Sequence, residues 1–264
     1  MIQSILSTLS LVLFGFFVIL TSSCEEQKEH KERKEVSVEE LPTDHSDLSM
    51  YAKRHIEAAL RIPATEKYAL SIHKENLDGD DKQDAIILVN RYQYAMDEAV
   101  KSNNSAKRAE LGFMGNYNYI FYFDGALNLI SPPLAIPSSP MLPLKVSFEN
   151  ISSSSFKDIL IDFRIRNSSY KDFYTVANHT PRRIFQWKIF DGLGTPNEES
   201  FIFNYETGSY SESKDIVISK GRIGAIPKKA DLFIYEPVIS AENKQETLYR
   251  FFYLPQKGIY ATNK

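Results

Sequence analysis

The chain has 264 residues, with 31 Lys and Arg against 34 Asp and Glu and a net charge of −3. This balance leaves no basic footprint for nucleic acid, and a single cysteine excludes both an intramolecular disulfide and a cysteine-based zinc site. Hydrophobic residues make up 43% of the chain, enough for a sizeable core rather than a disordered polymer.

The first element is a run from Ile5 to Leu20, almost wholly apolar and interrupted only by Ser7, Thr8, Ser10 and Gly15. It is short of the ~20 apolar residues that a spanning helix needs and fits the apolar core of a signal peptide. It ends in Thr21-Ser22-Ser23-Cys24, where the only cysteine of the chain follows small residues. These residues resemble the lipobox of bacterial lipoproteins. The resemblance implies a signal peptide over 1–23, cleavage before Cys24 and a diacylglycerol group on its sulfur. It also implies a place in the bacterial cell envelope, at the outer membrane or cell surface, with the membrane as partner through the lipid. Two features depart from the pattern: no Lys or Arg precedes the apolar run, and Leu20 stands four residues before Cys24, where the family more usually has Leu three before. An uncleaved anchor with an incidental cysteine is the alternative. Residues 24–46 read as a charged tether, since Glu25 to Glu40 holds seven Glu, four Lys or Arg and no aromatic.

Residues 47–264 read as one β-rich domain with an N-terminal helix and a helical insertion. Asp47 is placed to cap a helix to about Arg61, with Leu48, Tyr51, Ala52, His55, Ile56, Ala59 and Leu60 on one stripe and Pro63 closing it. Strands are expected at Tyr68–Lys74, Asp84–Arg91, Tyr117–Asp124, Leu144–Glu149, Lys157–Arg166 and Asp172–Asn178. Five more are expected at Arg183–Phe190, Phe201–Glu206, Asp215–Ser219, Asp231–Ile239 and Thr247–Leu254. All are rich in Ile, Val, Phe and Tyr and are bounded by turn residues. Between them, Gln93 to Leu111 reads as helix broken at Ser102-Asn103-Asn104-Ser105. Pro132, Pro133, Pro137, Pro140 and Pro143 mark an irregular crossover.

Two segments align without a gap, Glu75 to Leu88 on Glu149 to Asp162, 74 residues apart. They read as two copies of a strand–loop–strand unit, within repeat units at about 66–131 and 142–190, followed by a meander at about 200–260. The first loop sets oxygen-bearing residues at alternate positions, Asn76, Asp78 and Asp80, then Asp84, with the carbonyl of Lys82 between. Such a hook can wrap a hard cation taking six to eight oxygens. It is not an EF-hand, because no bidentate Glu follows at the twelfth position. Here the chain resembles the calcium loop of FG-GAP or VCBS repeats, the units of integrin-type propellers, whose loop reads Asp-x-Asp/Asn-x-Asp-Gly-x-x-Asp between strands. The resemblance implies antiparallel blade-like sheets and a structural Ca2+ held by Asn76, Asp78, Asp80, Lys82 and Asp84. Asn76 in place of the first Asp removes a charge, and Asp81 stands where glycine is usual, at a position that can call for positive φ. A plain polar turn is the alternative, since Asn, Asp and Gly dominate turns. The second copy has Ser152 and Ser154 at ligand positions and is expected to be metal-free.

No nucleophile elbow, zinc motif, phosphate loop or dinucleotide fingerprint occurs. His30, His45, His55, His73 and His179 show no ligand spacing. Alternating aromatics at Tyr117–Phe123, Phe185–Ile189 and Tyr249–Tyr253 read as sheet core, with a sugar- or peptide-stacking platform as the alternative. The expected role is a lipid-anchored envelope protein that binds or scaffolds, with envelope proteins or glycans as partners. The alternative is an envelope hydrolase that acts on glycans through two carboxylates not identifiable from spacing.

Overall fold

The computed structural model describes residues 47–242 and 246–263. The expected signal peptide, Cys24 and the charged tether lie outside the described residues. Helix α1 spans Leu48–Ala59, and Asp47 caps it by accepting from the Ser49 N–H at 3.0 Å. Its stripe buries Ala52 and Ile56 completely. The helix ends where Arg61 takes a positive φ of 52°, two residues before Pro63.

Strands β1 (Ala69–Glu75) and β2 (Asp84–Asn90) form an antiparallel hairpin with Glu75 opposite Asp84. The helical insertion follows as α2 (Tyr92–Lys101) and α3 (Ser105–Gly112). It breaks where Asn103 adopts φ 46° and Asn104 caps α3 by accepting from Ala106 N–H. Strand β3 (Asn118–Asp124) then pairs with β2, and β4 (Leu129–Ile130) and β5 (Leu134–Ala135) both pair with β3.

The second unit comprises β6 (Lys145–Glu149), β7 (Asp158–Ile165), β8 (Ser168–Ala177) and β9 (Thr180–Asp191). The third comprises β10 (Glu199–Glu206), β11 (Asp215–Ile223), β12 (Ile239–Ala241), β13 (Thr247–Leu254) and β14 (Ile259–Ala261). Within each unit the main strands run as an antiparallel four-stranded meander: β1-β2-β3-β4, β6-β7-β8-β9 and β10-β11-β13-β14. Only two residue pairs, Glu199 with Asp191 and Ser200 with Phe190, stitch the second and third meanders into one nine-stranded sheet.

The expected two-copy repeat is a three-copy one. Glu75 faces Asp84, Glu149 faces Asp158, and Glu206 faces Asp215 in the opening hairpin of each unit, always with the same chain spacing. Consecutive units are tied at these hairpin corners. The Lys157 N–H donates to the Asn76 carbonyl at 3.1 Å, and the Lys214 N–H, at the equivalent position, donates to the Ile151 carbonyl at 2.7 Å.

The cores explain the strand composition. Ile86, Ile120 and Tyr122 of the first unit pack on Ile159, Ile161 and Tyr174 of the second. Leu160, Phe173 and Phe185 of the second pack on Ile216, Ile218 and Phe251 of the third. The other face of the first sheet, with Ile87, Val89 and Phe121, is covered by Ala52 and Ile56 of α1. Strand β2 is therefore buried on both faces, and its sequence is a continuous apolar run rather than an alternating one.

One expected strand is absent. Asp231–Ile239 is turn and irregular chain, and only Ile239 joins a strand. The Asp231 side chain accepts from the Phe233 N–H at 3.0 Å, and its carbonyl accepts from Ile234 and Tyr235. Local side-chain bonding of this kind competes with strand pairing, and Pro237 lacks a ladder donor.

Candidate functional site

The three hairpin corners present one buried aspartate each, in the same register, in three different environments. Asp84, fully buried, accepts from the Leu77 N–H at 3.0 Å and the Gly125 N–H at 2.9 Å. Asp158, also fully buried, accepts from the N–H groups of Ile151 and Ser152 and from the Ser152 hydroxyl, at 3.2, 2.5 and 2.6 Å. Asp215 accepts from the Ser209 N–H and hydroxyl and from the Arg250 guanidinium at 3.1, 2.6 and 3.1 Å. The second corner thus meets its aspartate with neutral donors, and the third adds a built-in cation.

The first corner does the reverse and adds negative charge. Asp78 from the loop and Asp124 from the end of β3 close on Asp84, and the three offer carboxylate oxygens that all lie within 4.8 Å of one another. Asp124 is buried, and Asp78 is half-buried. The Tyr122 hydroxyl donates to Asp78 at 3.1 Å. Among the described hydrogen bonds and ion pairs, the one basic side chain that meets this trio is His179, whose Nδ1 lies 2.6 Å from Asp124. Burial holds the Asp84 carboxyl above its ordinary value and the Asp78 charge pushes the same way, while the Gly125 and Leu77 N–H groups pull against them. Burial, then the surrounding carboxylates, also raise the Tyr122 phenol.

Gly125 makes this arrangement possible. A Cβ at that position would meet the Gln83 carbonyl oxygen at 2.4 Å, so only glycine lets the β3–β4 turn approach the loop and donate to Asp84. The positive φ expected at Asp81 is instead at Gly79, with φ +84°.

The expected ligand set divides. Asp78 and Asp84 belong to the trio. Asn76 and Asp80 build the loop itself: Asn76 donates to the Asp80 carbonyl at 2.6 Å and accepts from Gly79, and Asp80 accepts from the Lys82 N–H at 2.7 Å. Lys82 is exposed and outside the trio. Asp124 and His179 were not expected at the site, since they come from other strand ends 40 and 95 residues beyond Asp84 in the chain. The Asp124-Gly125 step at the close of an apolar strand is the one local signal for the former. His179 is brought in by the tight β8–β9 turn, where it and Asn178 both take positive φ.

Chemically, three carboxylates with a neighbouring phenol form a hard-oxygen donor set, the kind suited to Ca2+ or Mg2+ rather than to a soft metal. No protein-family model matches the sequence, and no curated protein or solved structure matches the chain.

Proposed function

We propose that this chain is a lipid-anchored envelope protein that binds or scaffolds, and that one Ca2+ held by Asp78, Asp84 and Asp124 clamps its first unit. The supporting observation is the convergence of three carboxylates at the first hairpin corner, where no lysine or arginine joins them among the described ion pairs. Three neighbouring carboxylates repel one another in a low-dielectric setting, and a divalent cation reverses the sign of that interaction. The ion would tie the β1–β2 loop to the end of β3 and so fix the register of the first sheet. The Cys24 sequence pattern supports the anchor, and the charged stretch after it supports a domain held clear of the bilayer.

Calcium added to the full-length chain in detergent micelles is expected to raise its melting temperature. Asp124→Asn is expected to abolish that rise, and Asp80→Ala, which alters the loop but not the trio, to leave most of it. An unchanged melting curve between calcium and chelator would remove the ion from this reading. Mass spectrometry of the mature N-terminus tests the anchor separately.

A further inference from the structure

We propose that the second unit carries a binding groove for a neutral oligosaccharide, running across β8 and β9 from the Leu134–Pro137 segment to Tyr249. Two hollows, of about 590 and 470 Å³, meet at Tyr170 and Gln186, which line both. Each is the size of an ordinary small-ligand site, ~300–1,000 Å³, and end to end they suit an elongated occupant. This groove is separate from the carboxylate trio and does not depend on the calcium reading.

The groove has a built polar centre. Asp172 is 2% exposed and accepts from Gln186 Nε2 at 2.6 Å, from the Tyr174 hydroxyl at 2.8 Å and from Arg183 Nη1 at 3.4 Å. The buried carboxylate therefore orients an amide and a guanidinium that are themselves exposed. Gln186 keeps its carbonyl oxygen and one N–H for a ligand, and Arg183 keeps most of its donors. Such a set matches hydroxyl groups, each of which donates and accepts.

Aromatic surface adjoins that centre from two directions: Tyr170 shares the sheet face of Asp172 and Gln186, whereas Trp187 belongs to the opposite face and reaches the second hollow along the edge of β9 that β10 leaves uncovered. The Tyr170 ring stacks on Phe163 with centroids 5.6 Å apart and planes 19° apart, and Trp187 meets Tyr249 at 5.1 Å in the second hollow. Charge narrows the occupant further. Arg183 already faces Asp172, and Lys188 faces Asp191 and Glu199 at 2.5 and 3.0 Å. Both groove cations have carboxylate partners, so the surface offers no net field for a polyanion or a polycation. A neutral chain whose rings present C–H faces to aromatics and hydroxyls to Gln186 and Arg183 satisfies both halves of the surface. An extended peptide would instead pair with the edge of β9, which meets β10 at only two residue pairs.

The chain has one tryptophan, Trp187, and it lines the second hollow, so its emission reports occupancy. The full-length chain in polyoxyethylene-ether micelles would be titrated with neutral hexasaccharides of the cello-, malto-, xylo-, laminari- and chito- series. At least one is expected to change Trp187 emission saturably, with the matching disaccharide binding about tenfold or more weakly. Gln186→Ala and Tyr170→Ala are expected to weaken that hexasaccharide about tenfold or more, and Tyr170→Phe to retain it, with melting curves checked for each. Should Tyr170→Ala fail to fold, exposed Gln186 carries the test alone. No saturable response to any hexasaccharide at millimolar concentration overturns the proposal. A response unchanged in Gln186→Ala does so as well, as does saturable binding of extended peptides without sugar binding.

Discussion

The first and third hairpin corners hold the same aspartate opposite the same glutamate and treat its charge in opposite ways. In the third, Arg250 reaches Asp215 and also pairs with Glu206, so the cation is covalently part of the fold. In the first, Asp84 is joined by Asp78 and Asp124 and by one histidine. The second corner is intermediate, with serine donors and, among the described ion pairs, no cation on Asp158. The register is common to all three, so what the backbone requires is a buried acceptor at this position. How its charge is balanced is left to the surrounding side chains, and that freedom lets one copy specialise.

The comparison can be broken most severely at the apolar residue two positions after Glu75 and after Glu149. Leu77 and Ile151 are 0% and 1% exposed, and each donates its N–H to the corner aspartate. Replacing either by alanine should cost about 2–5 kcal/mol, read from urea midpoints, and the two losses should be alike if the corners are equivalent. Next in size is Asp78→Ser, which makes the first corner resemble the second. It should remove the stabilisation by calcium, about 2.7 kcal/mol where the ion stands at a hundred times its Kd, while leaving the chelated protein folded. Arg250→Ala should cost about 2 kcal/mol by leaving Asp215 buried without its cation, with no dependence on calcium. A calcium-dependent loss there would mean that the corners are not independent.

The smallest effect is a pH slope at the second corner. Burial raises the Asp158 carboxyl above 3.8, with the Ser152 and Ile151 donors opposing it. The folded chain then binds this proton more tightly than the unfolded chain. The stability it contributes is complete below 3.8 and is lost as pH rises through the raised value. Asp158→Asn lacks that slope. Its deficit in urea midpoint should therefore be largest near pH 4 and shrink towards neutrality; a deficit that grows with pH would reverse the assignment.

Much of the fold was legible in the sequence because it rests on local chemistry. The Asp47 cap, the stripe of α1, the break at Asn103-Asn104 and ten of the eleven expected strands follow from periodicity and turn residues. The exception, 231–239, has strand-like composition, but its run is held in turns by Asp231. The third repeat copy is written in the sequence as well: Glu206 to Ser219 aligns without a gap on Glu149 to Asp162 and shares Glu206, Ser209, Ser211, Lys214, Asp215, Ile216 and Ile218 with it, although its loop carries none of the acidic spacing that draws attention to the first copy. The site was half legible. Asp78 and Asp84 lie on the loop that spacing singles out, but the loop's own backbone uses Asn76 and Asp80. Asp124 and His179 arrive by strand pairing and sheet packing, which no local spacing encodes. The aromatic alternation was likewise readable as core, as buried Phe121, Phe185 and Phe251 bear out, whereas the hollows beside Tyr170 and Tyr249 depend on where two meanders diverge.

The hydrogen bonds between successive corners give the molecule a direction. Each later corner lends an N–H to the carbonyl of the one before it, at Lys157 and again at Lys214. The middle corner is therefore donor to one neighbour and acceptor from the other, while each outer corner takes part in one such link. Damage at an end should stay where it is made, whereas a fault at Ile151 or Lys157 should be felt at once both upstream and downstream.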